Sequence, residues 1–152
     1  MKRKMLILAA STLIAGCDSS PSNYSGSYVG GDNTALIQLE LVDRGDGELT
    51  GAMAVSQLDW DAGRMQTTIK QISGVRNGPQ MSLFAHAKGF GASDSPLSME
   101  AKDGTLFWTV PLNGMTIELA KADQAAYRER LVTFENQLYE TDARMIGRQN
   151  VD

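Results

Sequence analysis

The chain has 152 residues, enough for one domain with a hydrophobic core and one peripheral element. Its 18 acidic residues outnumber its 14 basic residues, and the formal charge of −4 argues against a nucleic-acid surface, which needs clustered positive charge. A single cysteine and a single histidine exclude a disulfide framework and a zinc site built from these two residue types.

The first residues have the layout of an export signal. Lys2, Arg3 and Lys4 form a basic start, an apolar run follows, and small residues precede Cys17. The apolar run is shorter than the roughly 20 residues that a membrane-spanning helix needs. We therefore expect residues 1–16 to be a cleaved signal peptide, whose removal changes the formal charge from −4 to −7.

The segment Leu13-Ile14-Ala15-Gly16-Cys17 resembles the lipobox of bacterial lipoproteins. The resemblance implies that diacylglycerol is joined to Cys17, that the chain is cut before it, and that the new amino group is often acylated. Two or more acyl chains hold a protein stably at a membrane, because each buried methylene contributes about 0.8 kcal/mol. Cys17 is thus the predicted lipidation site, and the membrane is a predicted partner.

Residues 17–23 are predicted to be a polar tether between the lipid and the domain. Asp18 resembles the signal that retains enterobacterial lipoproteins in the inner membrane, which implies the periplasmic side of that membrane. Because sorting rules differ among bacteria, the outer membrane stays open as an alternative within the cell envelope. The domain that follows resembles small envelope β-barrel lipoproteins.

From residue 24 to 121 the sequence is a series of short segments with apolar residues at every second position, separated by glycine-containing turns. This pattern predicts about eight strands: Tyr24–Gly30, Ala35–Val42, Glu48–Trp60, Met65–Val75, Gln80–Ala87, Pro96–Ala101, Thr105–Val110 and Met115–Ala120. In the clearest strand, Ile37, Leu39 and Leu41 share one face, while Gln38 and Glu40 share the other. Alternation of this kind predicts a core face and a solvent face.

The turns between these strands favour antiparallel neighbours. Asn77-Gly78, Asp103-Gly104 and Asn113-Gly114 are dipeptides that tolerate the positive φ angles of tight hairpins. Eight strands joined in this way predict an up-and-down meander, which removes its exposed edges by closing into a small barrel. A two-layer sandwich is the alternative.

The connection from Lys88 to Ser95 is longer than the others, rich in glycine, and carries one aromatic residue, Phe90. Loops of this kind often hold functional residues, so Phe90 is a candidate functional residue. A surface loop without a function is the alternative.

After Lys121 the apolar spacing changes to three and four, which predicts an amphipathic helix at 122–147 and a tail at 148–152. Asp123 is the predicted N-cap and Gly147 the predicted stop. The apolar face of the helix contains Tyr127, Leu131, Phe134, Leu138 and Tyr139. This face either packs on the barrel or contacts a protein partner or a second copy of the chain.

The sequence offers little for catalysis. His86 is the only histidine, its place in the strand pattern predicts a surface side chain, and the chain has no Gly-x-Ser-x-Gly segment. We therefore expect no enzymatic activity and no cofactor.

The leading hypothesis is a lipid-anchored, non-enzymatic interaction module that binds a protein partner, or itself, through the helix. Two alternatives stay open. An eight-stranded barrel can hold one small ligand, as a lipocalin does, although the large inward residues Met81, Met99, Leu106 and Trp108 favour a filled interior. The segment Ser25-Gly26-Ser27-Tyr28-Val29-Gly30 resembles a motif of lipid-anchored periplasmic lysozyme inhibitors, which implies inhibition of an envelope hydrolase.

Overall fold

The computed structural model describes residues 23–32, 34–59, 62–89 and 92–148, except for the side chains of Leu138 and of 141–148. Eight strands and one helix follow one another in this part of the chain. The strands are β1 (Gly26–Gly31), β2 (Ala35–Asp43), β3 (Glu48–Asp59), β4 (Arg64–Asn77), β5 (Gln80–Ala85), β6 (Ser95–Lys102), β7 (Thr105–Thr109) and β8 (Thr116–Lys121). The helix is α1 (Gln124–Arg148).

Each strand pairs antiparallel with the next, and β8 pairs with β1, so the sheet closes into a barrel. In the closing pair, Val29 lies opposite Ala120. The predicted up-and-down barrel with one C-terminal helix is confirmed, and the sandwich alternative is wrong. Closure gives a hydrogen-bonding partner to backbone groups that the edge strands of an open sheet would expose.

The strand ends differ from the predicted ends by two residues at most. The hairpin turns have the predicted chemistry: Asp103 and Gly104 both have positive φ, 52° and 80°, as a type I′ turn requires. Gly51 and Gly74 serve the barrel in another way. A Cβ atom at either glycine would collide with a carbonyl oxygen of the neighbouring strand, so these positions allow adjacent strands to coil closely together.

The inward face of the strands fills the middle of the barrel. The most deeply buried side chains there are Leu39, Leu49, Met81, Leu83, Met99, Leu106 and Leu119, none of them more than 1% exposed. The predicted filling by Met81, Met99 and Leu106 is therefore confirmed.

The outward face is not wholly solvated, contrary to the expectation from alternation. Val29 and Leu36 point away from the barrel interior and are buried beneath α1 in a second, smaller core. Gln38, predicted to face solvent, is also buried, and its side-chain amide donates a hydrogen bond of 2.8 Å to Gln124 Oε1. The sequence periodicity describes the sheet correctly, but it does not show which part of its outer face the helix covers.

The predicted N-cap of the helix is confirmed, while the helix begins two residues after the predicted start at 122 and reaches one residue beyond the predicted end at 147. Asp123 caps it, because its Oδ1 accepts a hydrogen bond of 2.8 Å from the backbone N–H of Ala126. Gly147 does not stop the helix, which continues to Arg148. Glycine in a helix costs about 1 kcal/mol relative to alanine, which weakens a helix without ending it.

Candidate functional site

One end of the barrel is closed by a buried ion pair. The Asp43 carboxylate is fully buried, and its Oδ2 lies 2.8 Å from Arg76 Nε. The same carboxylate accepts hydrogen bonds from the backbone N–H groups of Tyr24 (3.2 Å) and Gly45 (2.9 Å). The Arg76 guanidinium also lies 5.5 Å from the centre of the Tyr24 ring. We call this region the closed end.

The environment of Asp43 favours its ionised form. Burial by itself raises the pKa of a carboxyl group, but hydrogen bonds from Gly45, Tyr24 and Arg76, together with the Arg76 charge, outweigh it. The pKa of Asp43 therefore lies below its ordinary value. Asp43 stays ionised at neutral pH, and the ion pair persists at the closed end.

The opposite end contains a cavity of about 540 Å³, and we call it the open end. Its walls come from the inward face of five strands, β3 to β7, and from the segment after β7; the apolar part comprises Met53, Val55, Ala85, Leu97, Trp108 and Val110. Small-molecule sites in proteins usually have volumes of about 300–1,000 Å³ and mostly apolar walls. The cavity has the size and lining of such a site.

The cavity exists because small residues replace large ones near this end. In the filled middle of the barrel, Met81 lies opposite Met99 in the β5–β6 ladder. Four residues further along β5, Ala85 lies opposite Ser95. The change from methionine to alanine and serine on the inward face leaves space that the core does not fill.

Trp108 borders this space. It packs partly against the core, and its indole Nε1–H is buried without a hydrogen-bond partner among the residues that the structure describes. The prediction that Trp108 fills the interior is therefore only partly right. An unpaired buried donor costs about 1–3 kcal/mol, and because this N–H is closed off from solvent, the cavity contacts the indole ring and not its donor.

Lys70 adds positive charge to the same cavity. It lies opposite Met53 in the β3–β4 ladder and is half-buried. Gln57, Thr68 and Ser95 are the other polar residues of the lining, and Lys70 is its single charged residue within the described chain. The site thus combines an apolar wall with one cation.

The β7–β8 connection forms part of the rim. Pro111 and Leu112 line the cavity, and Leu112 is 97% exposed. A leucine that is almost fully exposed beside an apolar cavity offers further surface to an apolar molecule.

A chain of hydrogen bonds lies near this rim and joins Ser73, His86 and Asp94. Ser73 Oγ lies 2.7 Å from His86 Nε2, and His86 Nδ1 lies 2.9 Å from Asp94 Oδ2. Asp94 Oδ1 also accepts a hydrogen bond of 3.0 Å from the backbone N–H of Ala87. These bonds from Ala87 and from the His86 ring hold the pKa of Asp94 below its ordinary value. Asp94 thereby connects the two ends of the β5–β6 connection.

The order serine, histidine, carboxylate is the order found in hydrolase triads. Whether these three residues could catalyse acyl transfer depends on the groups around Ser73. Acyl transfer also needs N–H donors placed for the oxyanion, usually at a sharp turn that holds the nucleophile. Ser73 instead lies within β4, which is paired with β3 on one side and β5 on the other. The hydrogen bonds of His86 and Asp94 position the β5–β6 connection at the rim. Among the described residues, the position of Ser73 within a paired strand provides no oxyanion site.

His86 was predicted to be a surface side chain, and 42% of its side chain is indeed exposed. Its hydrogen-bond partners, Ser73 and Asp94, were not predicted from the sequence. In the β4–β5 register, His86 follows Ala85 and lies opposite Gln71. Ser73 is two residues further along β4 and is therefore a diagonal neighbour of His86. The Asn77-Gly78 turn is the sequence signal for this contact, because a tight hairpin there determines which residues of β4 and β5 lie opposite each other.

The helix face proposed as a partner contact lies mainly on the barrel. Tyr127 and Phe134 are each 7% exposed and pack against Val29 and Leu36, with Leu131 partly buried beside them. Tyr127 Oη also lies 3.2 Å from Ser56 Oγ. Tyr139 is 62% exposed, and the side chain of Leu138 lies outside the described residues. Tyr127 and Phe134 are therefore covered by the barrel in this arrangement, and a partner contact through this helix face stays a prediction.

Two predicted sites, Cys17 and Phe90, lie outside the described residues. Within the described chain, no cluster of three or more His, Cys, Asp or Glu residues is arranged to hold a metal ion. None of its helices combines the length and apolarity needed to cross a bilayer. No family model matches the chain, and no curated protein or solved structure matches it either.

Proposed function

We propose that this protein binds one small apolar molecule in the cavity at the open end, as a small-ligand carrier does. The observation that carries the proposal is a cavity of about 540 Å³ with mostly apolar walls, next to the filled middle of the barrel. Protein interiors contain few voids larger than a water molecule. A space of this size, reached from one end of a barrel whose other end is closed, is typical of a ligand site.

The structure gives less support to the two other hypotheses. The interaction-module hypothesis was motivated by the apolar helix face, and Tyr127 and Phe134 are buried on the barrel. The inhibitor hypothesis was motivated by the segment around Tyr28, but Tyr28 and Val29 are 2% and 0% exposed. Neither set of side chains is available to a partner in this arrangement.

In this proposal the domain is held at an envelope membrane by lipid on Cys17 and has no enzymatic role. The lipobox-like segment supports the anchor. Cells expressing the full chain and fed labelled palmitate should transfer label to the wild type and not to Cys17→Ser, whereas Ser19→Ala should be labelled normally. Equal labelling of Cys17→Ser and the wild type would contradict the anchor.

Ligand binding can be tested by titration with a neutral dye that fluoresces in apolar surroundings, such as Nile red. The matched variants are Thr68→Trp, which adds a large side chain to the cavity lining, and Ile69→Trp, which adds it to the next position of β4. Ile69 is 58% exposed and does not line the cavity, and successive residues of a strand face opposite sides. Both substitutions are at exposed positions, so both variants should fold.

We expect saturable binding of one dye molecule to the wild type and to Ile69→Trp, and at least tenfold weaker binding to Thr68→Trp. Equal binding to the two variants would show that the dye occupies another surface. Absence of saturable binding to the wild type, by this dye and by apolar molecules of similar size, would contradict the proposed function.

A further inference from the structure

We propose that the natural ligand of the open end is an apolar acid, in which a carboxylate faces Lys70 while the hydrocarbon body contacts the apolar wall, including the Trp108 ring. This inference rests on the proposed function and deepens it by naming the chemical class of the ligand. Two features of the cavity support it: a lysine without a salt bridge among the described residues, and the distribution of apolar side chains.

The cation selects the sign of the charge on the ligand. Lys70 lines the cavity and forms no salt bridge within the described chain. Asp94 lies close enough to interact electrostatically with Lys70, but it forms no salt bridge with Lys70, and its side chain is 46% exposed, so that solvent screens the interaction. A ligand carboxylate would gain a charge partner at Lys70, whereas a ligand ammonium would be repelled.

The remainder of the wall is apolar. Met53 and Leu97 are each 4% exposed at the base of the cavity, and Val55 and Val110 are half-buried above them. These side chains provide contact for an alkyl or aryl body, because apolar surface removed from water favours binding. Cation and apolar wall together match an amphipathic acid better than a neutral oil or a cationic amphiphile.

The test compares ligands that share a body and differ in the head group: decanoate, decanol, methyl decanoate and decyltrimethylammonium. Each is measured by displacement of the neutral dye from the wild type, Lys70→Met and Trp108→Phe. Lys102→Met is the matched control, because Lys102 is an exposed lysine in β6 near the closed end. Thermal unfolding of each variant shows whether it is folded.

We expect decanoate to bind the wild type and Lys102→Met at least tenfold more tightly than decanol does, and decyltrimethylammonium to bind least. Lys70→Met should bring decanoate and decanol to within about threefold of each other. Trp108→Phe should weaken decanoate and decanol by the same factor, up to about tenfold, because the smaller ring loses contact with the alkyl body that the two ligands share.

Two outcomes separate this inference from the proposed function. If the dye binds and decanoate has no advantage over decanol, the acid is refuted while an apolar ligand site remains. If no ligand or dye binds, both are refuted. Should Trp108→Phe fail to fold, an NMR titration of the wild type with decanoate tests the inference through the Trp108 indole N–H resonance. The variant Trp60→Phe, which removes the other tryptophan, assigns that resonance. Decanoate must move this resonance, and an unchanged resonance at saturation overturns the inference.

Discussion

Arg76→Met tests the account of the closed end. The substitution removes the partner of a carboxylate whose side chain is fully buried and leaves the charge of Asp43 uncompensated. Breaking a buried ion pair in this way typically costs 3–5 kcal/mol. Asp43 keeps the backbone donors of Tyr24 and Gly45, so we expect the lower part of this range, a loss of about 3 kcal/mol in the free energy of unfolding.

Urea denaturation of the wild type and the variant measures this loss. With a slope of about 1–3 kcal/mol per molar urea, the midpoint should fall by about 1–3 M. Arg44→Met is a matched control, because Arg44 makes a 3.7 Å ion pair with Glu48 in which both side chains are more than half exposed. Exposed pairs of this kind contribute about 0–1 kcal/mol.

The double variant Asp43→Asn/Arg76→Met separates the contribution of the ion pair to stability from the cost of leaving one buried charge unpaired. Removing both charges should recover much of the stability lost in Arg76→Met, because no unpaired buried charge remains. If Arg76→Met costs no more than Arg44→Met, the Asp43 carboxylate is solvated, and the description of a closed end is wrong.

Three further results are expected. Because the pKa of Asp43 is lowered in the folded state, its ionised carboxylate stabilises the fold above its ordinary pKa of about 3.9, and this stabilisation is lost as pH falls below that value. The urea midpoint of the wild type should therefore fall more steeply below about pH 4 than the midpoint of Asp43→Asn. Equal slopes of midpoint against pH would contradict this. Phe134→Ala should cost about 3 kcal/mol in the same assay, whereas Val132→Ala, at an exposed position of α1, should stay within about 0.5 kcal/mol. Purified wild type should hydrolyse p-nitrophenyl butyrate no faster than Ser73→Ala, and a rate that depends on the Ser73 hydroxyl would show that the protein is an enzyme.

The barrel could be predicted from the sequence because each local signal indicates the same structure. Alternation around Leu39 defines the inward face, and turns such as Asp103-Gly104 give antiparallel hairpins without a crossover. Closure follows, since eight consecutive antiparallel strands otherwise leave two exposed edges.

The open end could not be predicted, because a cavity depends on packing in three dimensions. Ala85 and Ser95 have the same alternation as the larger inward residues, and their small size matters only because they lie opposite each other. The isolation of Trp108 Nε1 is likewise a property of the folded barrel, since the sequence does not show which acceptors surround an indole.

The position of the helix illustrates a different limit. The apolar stripe containing Tyr127 and Phe134 was predicted correctly, but a stripe does not identify the surface that it covers. Val29 and Leu36 were the available signal, because both are apolar residues on the outward face of strands whose inward face is also apolar.

The most direct test of ligand binding at the open end is to observe the cavity residues by NMR while decanoate is added to the soluble domain. We expect saturable shifts for the Trp108 indole N–H and for the methyl groups of Val55 and Leu97, with little change at Val29 and Leu36 beneath the helix. Shifts confined to the helix and its contact surface, or no saturable shift at the cavity residues, would contradict it.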